Sequence, residues 1–248
     1  MTCYDETHYK AALKVLQYVK GSSRLGLLFE EGVPLKLEGY SDADHASDKL
    51  DRKSITGTLF TLGKGTVSWT SQKQKSVAIS STESEYVALS ETAREGIWLR
   101  ELLKELECSQ DGPTPLYVDN QSAIRLAYNT ELHQRTKHIE VRYHFIRERV
   151  ELGDFEVVYR RTEEQPADCL TKALARPKLE VCLQLTNMLF QPVECVKTTG
   201  KSKLRCFWCE CQAKARMILH PRDHKMLMRG IRRIRAMRML MIIQTWTY

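Results

Sequence analysis

The stretch "LKLEGYSDADHASD", Leu35 to Asp48, decides how the chain is read. Leu35 and Leu37 alternate with Lys36 and Glu38, the period-two pattern of a strand with one buried face. That strand runs into Asp42, Asp44 and Asp48. Like charges so close repel, so the cluster calls for a cation, a basic partner or full solvation. An Asp-rich surface turn is the alternative, because Asp side chains bond readily to nearby backbone.

Downstream, "SITGTLFTL" and "GTVSWTS" repeat the strand pattern between Gly- and Lys-bearing turns, so a three-stranded antiparallel meander is expected. In "AISSTESEYVALSETAREGIWLRELLKELE" Ser and Thr followed by Glu signal a helix start. Ala78, Glu85, Leu89, Ala93, Gly96 and Leu103 share one face of that helix, which leaves Glu85 on an otherwise small or apolar stripe. "PTPLYVDNQSAIRLAYN" reads as a strand entering a helix at Asp119 and Asn120, and "RTKHIEVRYHFIRERVELG" as a further helix. The strand "FEVVYRR" and a final helix beginning near "EQPADCLTKAL" follow. The order βββαβαβα implies an α/β fold: a mixed sheet, three-stranded meander plus parallel strands, with flanking helices.

Upstream, Ala12, Val15, Leu16 and Val19 recur at helical spacing before "GSS" breaks the pattern. One helix and a short strand cannot bury a core alone. The chain has 248 residues, 42% of them hydrophobic, enough for one large domain or two small ones. No run approaches the roughly 18 to 20 apolar residues of a membrane span, so no membrane partner is expected. "MTCYDETHYK" lacks the apolar core of a signal peptide, and an intracellular location, cytoplasmic or nuclear, is expected. The eight cysteines then read as free thiols.

The net charge of +7 is unevenly divided. Lys197 to Tyr248 holds 13 Lys and Arg against Glu210 and Asp223, a net of +11, which leaves −4 for residues 1–196. The shift marks a boundary a little before Lys197.

In a sheet of this kind, strands ending at one crevice deliver their C-terminal residues to a common site. If the strands ending at Asp42 and Asp119 are parallel neighbours, their carboxylates lie side by side, with Glu85 reaching them from the first sheet-packed helix. Asp168, expected in the first turn of the last helix, completes the set. Oxygen ligands without Cys or His select hard ions such as Mg²⁺. Two ions roughly 4 Å apart form the clamp used for phosphoryl displacement, one activating water and the other stabilising the leaving oxygen.

The motifs "GYSDADHASDKLDRKSITGTLF", "VSWTSQKQKSVAISSTESEYVALSETAREGIWLRELL", "YVDNQSAI", "RTKHIEVRYHFIRE" and "PADCLTKAL" resemble the ribonuclease H region of Ty1/copia-type retrotransposon Pol polyproteins. The resemblance covers about residues 8 to 176, and the five motifs occur in the family's order. It implies a ribonuclease H-like domain over 35–176 after a remnant of the reverse transcriptase connection, 1–34, and leaves 177–248 as a basic, poorly ordered tail. It also implies two Mg²⁺ ions, replaceable by Mn²⁺, an RNA–DNA hybrid as partner and substrate, cleavage of its RNA strand, and a reverse transcriptase domain supplied elsewhere. Carried over by motif, the catalytic and metal-holding acids are Asp42, Glu85, Asp119 and Asp168. Asp44 and Glu83 are the near alternatives: Asp42 is preferred because it lies closer to the strand end, and Glu85 because of its helix face. The family usually has Trp where His45 stands and Gly where Ser47 stands, so an altered turn after the first strand is expected. No polymerase "YxDD" motif, protease or integrase signature is present, which keeps a catalytically silent binding or interaction module as the alternative function.

Arg135, Lys137, His138 and Arg142 fit a phosphate-tracking stripe, or equally a solvated helix face balanced by Glu140, Glu148 and Glu151. Asn120 and Gln121 are placed to meet the 2′-hydroxyls that distinguish RNA, although Asn120 equally suits a helix cap. His133, His138 and His144 lack the spacing of paired helical ligands. The loop before Asp168 has no His to shuttle a proton, which leaves metal-bound water, Glu163 or Glu164 to assist product release. In the tail, Cys206, Cys209, His220 and His224 approach a zinc-finger pattern, but with a central spacing of ten residues, poor strand signals and an extra Cys211, zinc is not expected.

Overall fold

The computed structural model describes residues 5–30, 32–128 and 137–190, with the backbone alone for 137–141 and 143. Helix α1, Glu6–Gly21, opens on Asp5, whose carboxylate accepts from the Thr7 and His8 N–H groups. It buries no residue, and Tyr9, Leu13, Leu16 and Val19 are exposed along it. Strands β1 (Leu25–Leu27), β2 (Leu37–Asp44), β3 (Ile55–Leu62) and β4 (Gly65–Lys73) follow, then helix α2, Ser81–Glu105. Next come β5 (Thr114–Val118), α3 (Gln121–Tyr128), α4 (Lys137–Glu151) and β6 (Phe155–Tyr159). Two short 3₁₀ turns, Thr162–Glu164 and Pro166–Leu170, lead to α5 (Arg176–Leu185) and β7 (Met188–Phe190).

The main sheet runs β4-β3-β2-β5-β6. β2, β3 and β4 form the expected antiparallel meander, while β2–β5 and β5–β6 are parallel. β3 turns into β4 through Gly63 and Lys64, both at positive φ (54° and 69°), which matches the right-handed twist of the two strands.

Both sheet faces are covered. On one, Phe60 and Leu116 lie under Tyr86, Leu89, Ala93 and Leu103 of α2. Gly96 permits this approach: a Cβ there would stand 2.9 Å from the Phe155 ring and 3.1 Å from that of Phe60. On the other face Tyr40, Leu59 and Trp69 lie under Ala167, Leu170, Cys182 and Met188.

The last segment departs from expectation. "EQPADCLTKAL" does not begin an α-helix; it forms the Pro166–Leu170 turn, and helix begins only at Arg176. Asp168 N–H donates to Gln165 O and Thr171 N–H to Asp168 O, three-residue closures made while Leu170 and Thr171 press on β3 at Gly57. Tertiary packing here outweighs the helical propensity of the segment. Residues 177–190, assigned from sequence to the tail, form most of α5 and all of β7. β7 pairs antiparallel with β1, Leu27 opposite Met188, so this two-stranded sheet joins residues from the expected connection and the expected tail. Cys206, Cys209, Cys211, His220 and His224 lie outside the described residues. Among the described residues Cys108, Cys169 and Cys182 are free thiols, and no helix is long and apolar enough to cross a membrane.

Candidate metal centre

Parallel pairing sets Tyr40 of β2 opposite Tyr117 of β5. Two residues further along the chain stand Asp42, inside β2, which runs on to Asp44 instead of ending at Asp42 as expected, and Asp119, just past the end of β5. Glu85 descends from the start of α2, whose position is fixed by Ser80, the N-cap, accepting from the Glu83 N–H. Glu83, the alternative to Glu85, is used in this cap: its Oε2 accepts from the Ile79 N–H at 2.9 Å. Asp42, Glu85 and Asp119 each offer an oxygen, and the three oxygens lie within 4.8 Å of one another.

Asp42 is fully buried and Glu85 nearly so. Burial, joined by the charges of Asp168 and Asp119 and opposed by Lys172 and Thr171, pushes Asp42 up to about 7. Burial, then Asp42 and Asp119, pushes Glu85 up to about 9. Glu85 Oε2 is buried with no hydrogen-bond partner among the described residues. Three crowded carboxylates, two held against ionisation and one carrying an orphaned oxygen, fit a hard cation: its charge would relieve the repulsion and its coordination would satisfy Glu85.

Asp168 is buried beside this group but outside it. Its Oδ1 lies 2.9 Å from Lys172 Nζ, and the same ammonium stands 3.4 Å from Asp42. Thr171 Oγ1 donates to Asp42 Oδ2. Asp44, one pleat beyond Asp42, is half-buried and not among the three clustered acids. The turn that follows, with His45 and Ser47, holds Ala46 at φ 50°, tied by its N–H to Ser54 Oγ at 3.0 Å.

Asn120 Oδ1 accepts from the Ala123 N–H at 3.0 Å and so caps α3, while Gln121 is exposed. Arg142 lies 3.3 Å from Glu91 of α2. Lys137 and His138 occupy the first turn of α4; their side chains, like Arg135 and His133 as a whole, lie outside what is described.

No family model matches the chain. The Pol polyprotein of transposon TNT 1-94 from Nicotiana tabacum is 47% identical over 181 residues, covering 73% of this chain. That of transposon RE1 from Arabidopsis thaliana is 43% identical over 171 residues, covering 69%. The chain is a homologue of the Ty1/copia Pol polyproteins. It spans 14% and 12% of the lengths of these two relatives. The solved structures matched include LC11-RNase H1, isolated from compost, at 18% identity and a TM-score of 0.42, covering 55% of this chain and 93% of that one. RNase H1 of Halobacterium salinarum matches at 15% identity and 0.39, covering 58% and 98%.

Around the acids, this Ty1/copia homologue carries groups that periodicity and charge did not single out. Thr162 Oγ1 donates to Asp119 Oδ2 at 2.8 Å. The buried Gln165 donates through Nε2 to Ser41 O at 3.0 Å and Tyr117 O at 3.2 Å, and so ties the approach to Asp168 across β2 and β5. Thr171 and Lys172, which follow Asp168 in the chain, reach Asp42 only because their turn is laid on the sheet.

Proposed function

We propose that the chain is a ribonuclease H that hydrolyses the RNA strand of RNA–DNA hybrids in reverse transcription, with Mg²⁺, or Mn²⁺ in its place, held by Asp42, Glu85 and Asp119. The observation that carries this reading is the clustered triad with its orphaned Glu85 oxygen, in a homologue of Pol polyproteins. A divalent ion bound there would supply Lewis-acid activation and charge neutralisation at a phosphodiester. The protein's own groups do the remaining work. Thr162 and Thr171 orient Asp119 and Asp42 by hydrogen bonds. Gln165 bridges the two strands that carry those acids. Lys172 lies against both Asp42 and Asp168 and offsets the charge of the two acids. Asn120 and Gln121 flank Asp119 at the rim, where the 2′-hydroxyls of an RNA strand would meet them, and Arg135, Lys137, His138 and Arg142 would follow its phosphates. The remaining parts of reverse transcription would come from a polymerase domain supplied elsewhere, inside the cell.

The test is incubation of the full chain with labelled hybrid, duplex DNA and single-stranded RNA, with Mg²⁺ and with chelator. Cleavage of the RNA strand of the hybrid alone, leaving 3′-hydroxyl and 5′-phosphate ends and abolished by chelator, is expected. Folded protein that binds hybrid yet cuts under neither Mg²⁺ nor Mn²⁺ would replace this reading with that of a silent binding module.

A further inference from the structure

Asp42 belongs to two constellations. Toward Glu85 and Asp119 it completes the triad. Toward Asp168 it shares an ammonium: Lys172 Nζ lies 2.9 Å from Asp168 Oδ1 and 3.4 Å from Asp42. Both of these acids are buried, whereas the Lys172 side chain is about one-third exposed, 34%, so its stem leads out to solvent and its charged end reaches in. A second divalent ion shared by Asp42 and Asp168 would need the position this ammonium fills.

We propose that Lys172 is a built-in counter-ion that takes the place of a second divalent ion, so that the protein free of nucleic acid binds one such ion per chain, at Asp42, Glu85 and Asp119. The inference rests on the metal reading of the triad. Its physical basis is exclusion: an ammonium and a divalent cation cannot share one space, and a cation there without Lys172 leaving would add repulsion to steric conflict. The position of Lys172 is fixed through its backbone as well, because its N–H donates to Asp168 O at 3.0 Å. Lys172 thus holds Asp168, which stands outside the triad, against Asp42. It is a positioning residue, acting through the two acids.

The experiment is Mn²⁺ titration of the full chain without nucleic acid, by calorimetry for stoichiometry and by electron paramagnetic resonance for the environment of the ion. The parent and Lys172→Arg, which keeps a cation, are expected to bind one Mn²⁺ and give the spectrum of an isolated ion. Lys172→Met and Lys172→Gln, which remove the charge, are expected to bind two, with the broadened spectrum of coupled neighbouring ions. Two Mn²⁺ in the parent would overturn the inference and leave the metal reading intact. A single site of unchanged affinity in both neutral variants would overturn it too, since nothing would then be excluded by Lys172. No Mn²⁺ in the parent would remove the metal reading of the triad, and the inference with it. The parent stoichiometry stands as a test whether or not either neutral variant folds.

Discussion

Asp42 of β2 faces Gly57 of β3 across the antiparallel pair, and Gly57 is where the turn carrying Asp168 comes down on the sheet. A Cβ at position 57 would meet Thr171 Cγ2 at 2.7 Å and the Ala167 carbonyl oxygen at 2.9 Å. One contact is with backbone, so rotating a side chain cannot relieve it. Gly57→Ala is therefore expected to lift the turn away from β3, to weaken the Thr171 bond to Asp42, and to cost about 1–3 kcal/mol of stability, the usual range for overpacking. Thermal melting and Mn²⁺ titration check this. A variant as stable as the parent with the same Mn²⁺ affinity would mean that the turn does not depend on this contact.

Asp119 is the most accessible of the clustered acids, and its charge raises both Asp42 and Glu85. Asp119→Asn removes a ligand and a repulsion together. Loss of cleavage is expected to exceed the 10- to 100-fold typical of losing a supporting partner, with hybrid binding retained and melting temperature equal or raised. Cleavage at the parental rate would exclude Asp119 from the site.

The parts of this arrangement legible in sequence were those with a local signature. Alternation in "LKLEGYSD" and "SITGTLFTL" marked β2 and β3, and Ser80 with Glu83 marked the start of α2. The side-by-side approach of Asp42 and Asp119 followed from supposing that their strands were parallel neighbours, which they are. Asp168 was the harder case. Its segment has helical composition, yet its conformation depends on β3 offering a bare backbone at Gly57, a contact between residues more than a hundred positions apart. Lys172 reaches Asp42 and Gln165 reaches Ser41 through the same long-range placement, which no local pattern marks. The β1–β7 pair was hidden for a related reason. β7 is three residues long, and its partner β1 lies at the opposite end of the described chain.

The basic segment from Lys197 onward bears on binding more than on chemistry. Its net charge of +11 should add non-specific affinity for nucleic acid that falls steeply with salt, as counterions are released from phosphates. Hybrid affinity measured across a salt series is expected to show a steeper slope for the full chain than for residues 1–196. Equal slopes would mean that the segment touches no phosphates.

Stability without metal should run against the usual rise from acid toward neutral pH. Asp42 moves from an ordinary value of 3.8 to about 7 and Glu85 from 4.5 to about 9. Between the unfolded and folded values the native state holds more protons than the unfolded one, so the slope of stability with pH is negative. The contribution of these acids is fully present below the unfolded values and is lost as pH rises through about 7 for Asp42 and about 9 for Glu85. In chelator, the melting temperature is expected to fall steadily from about pH 5 to pH 9. Added Mn²⁺ should raise it little at the acid end, where protons already neutralise the acids, and most at the alkaline end, where the ion replaces them. Glu85→Gln, which cannot ionise, should flatten the alkaline limb and blunt its response to Mn²⁺. A chelated protein whose melting temperature is flat or rising across that range would show that Asp42 and Glu85 are not held against ionisation by their surroundings.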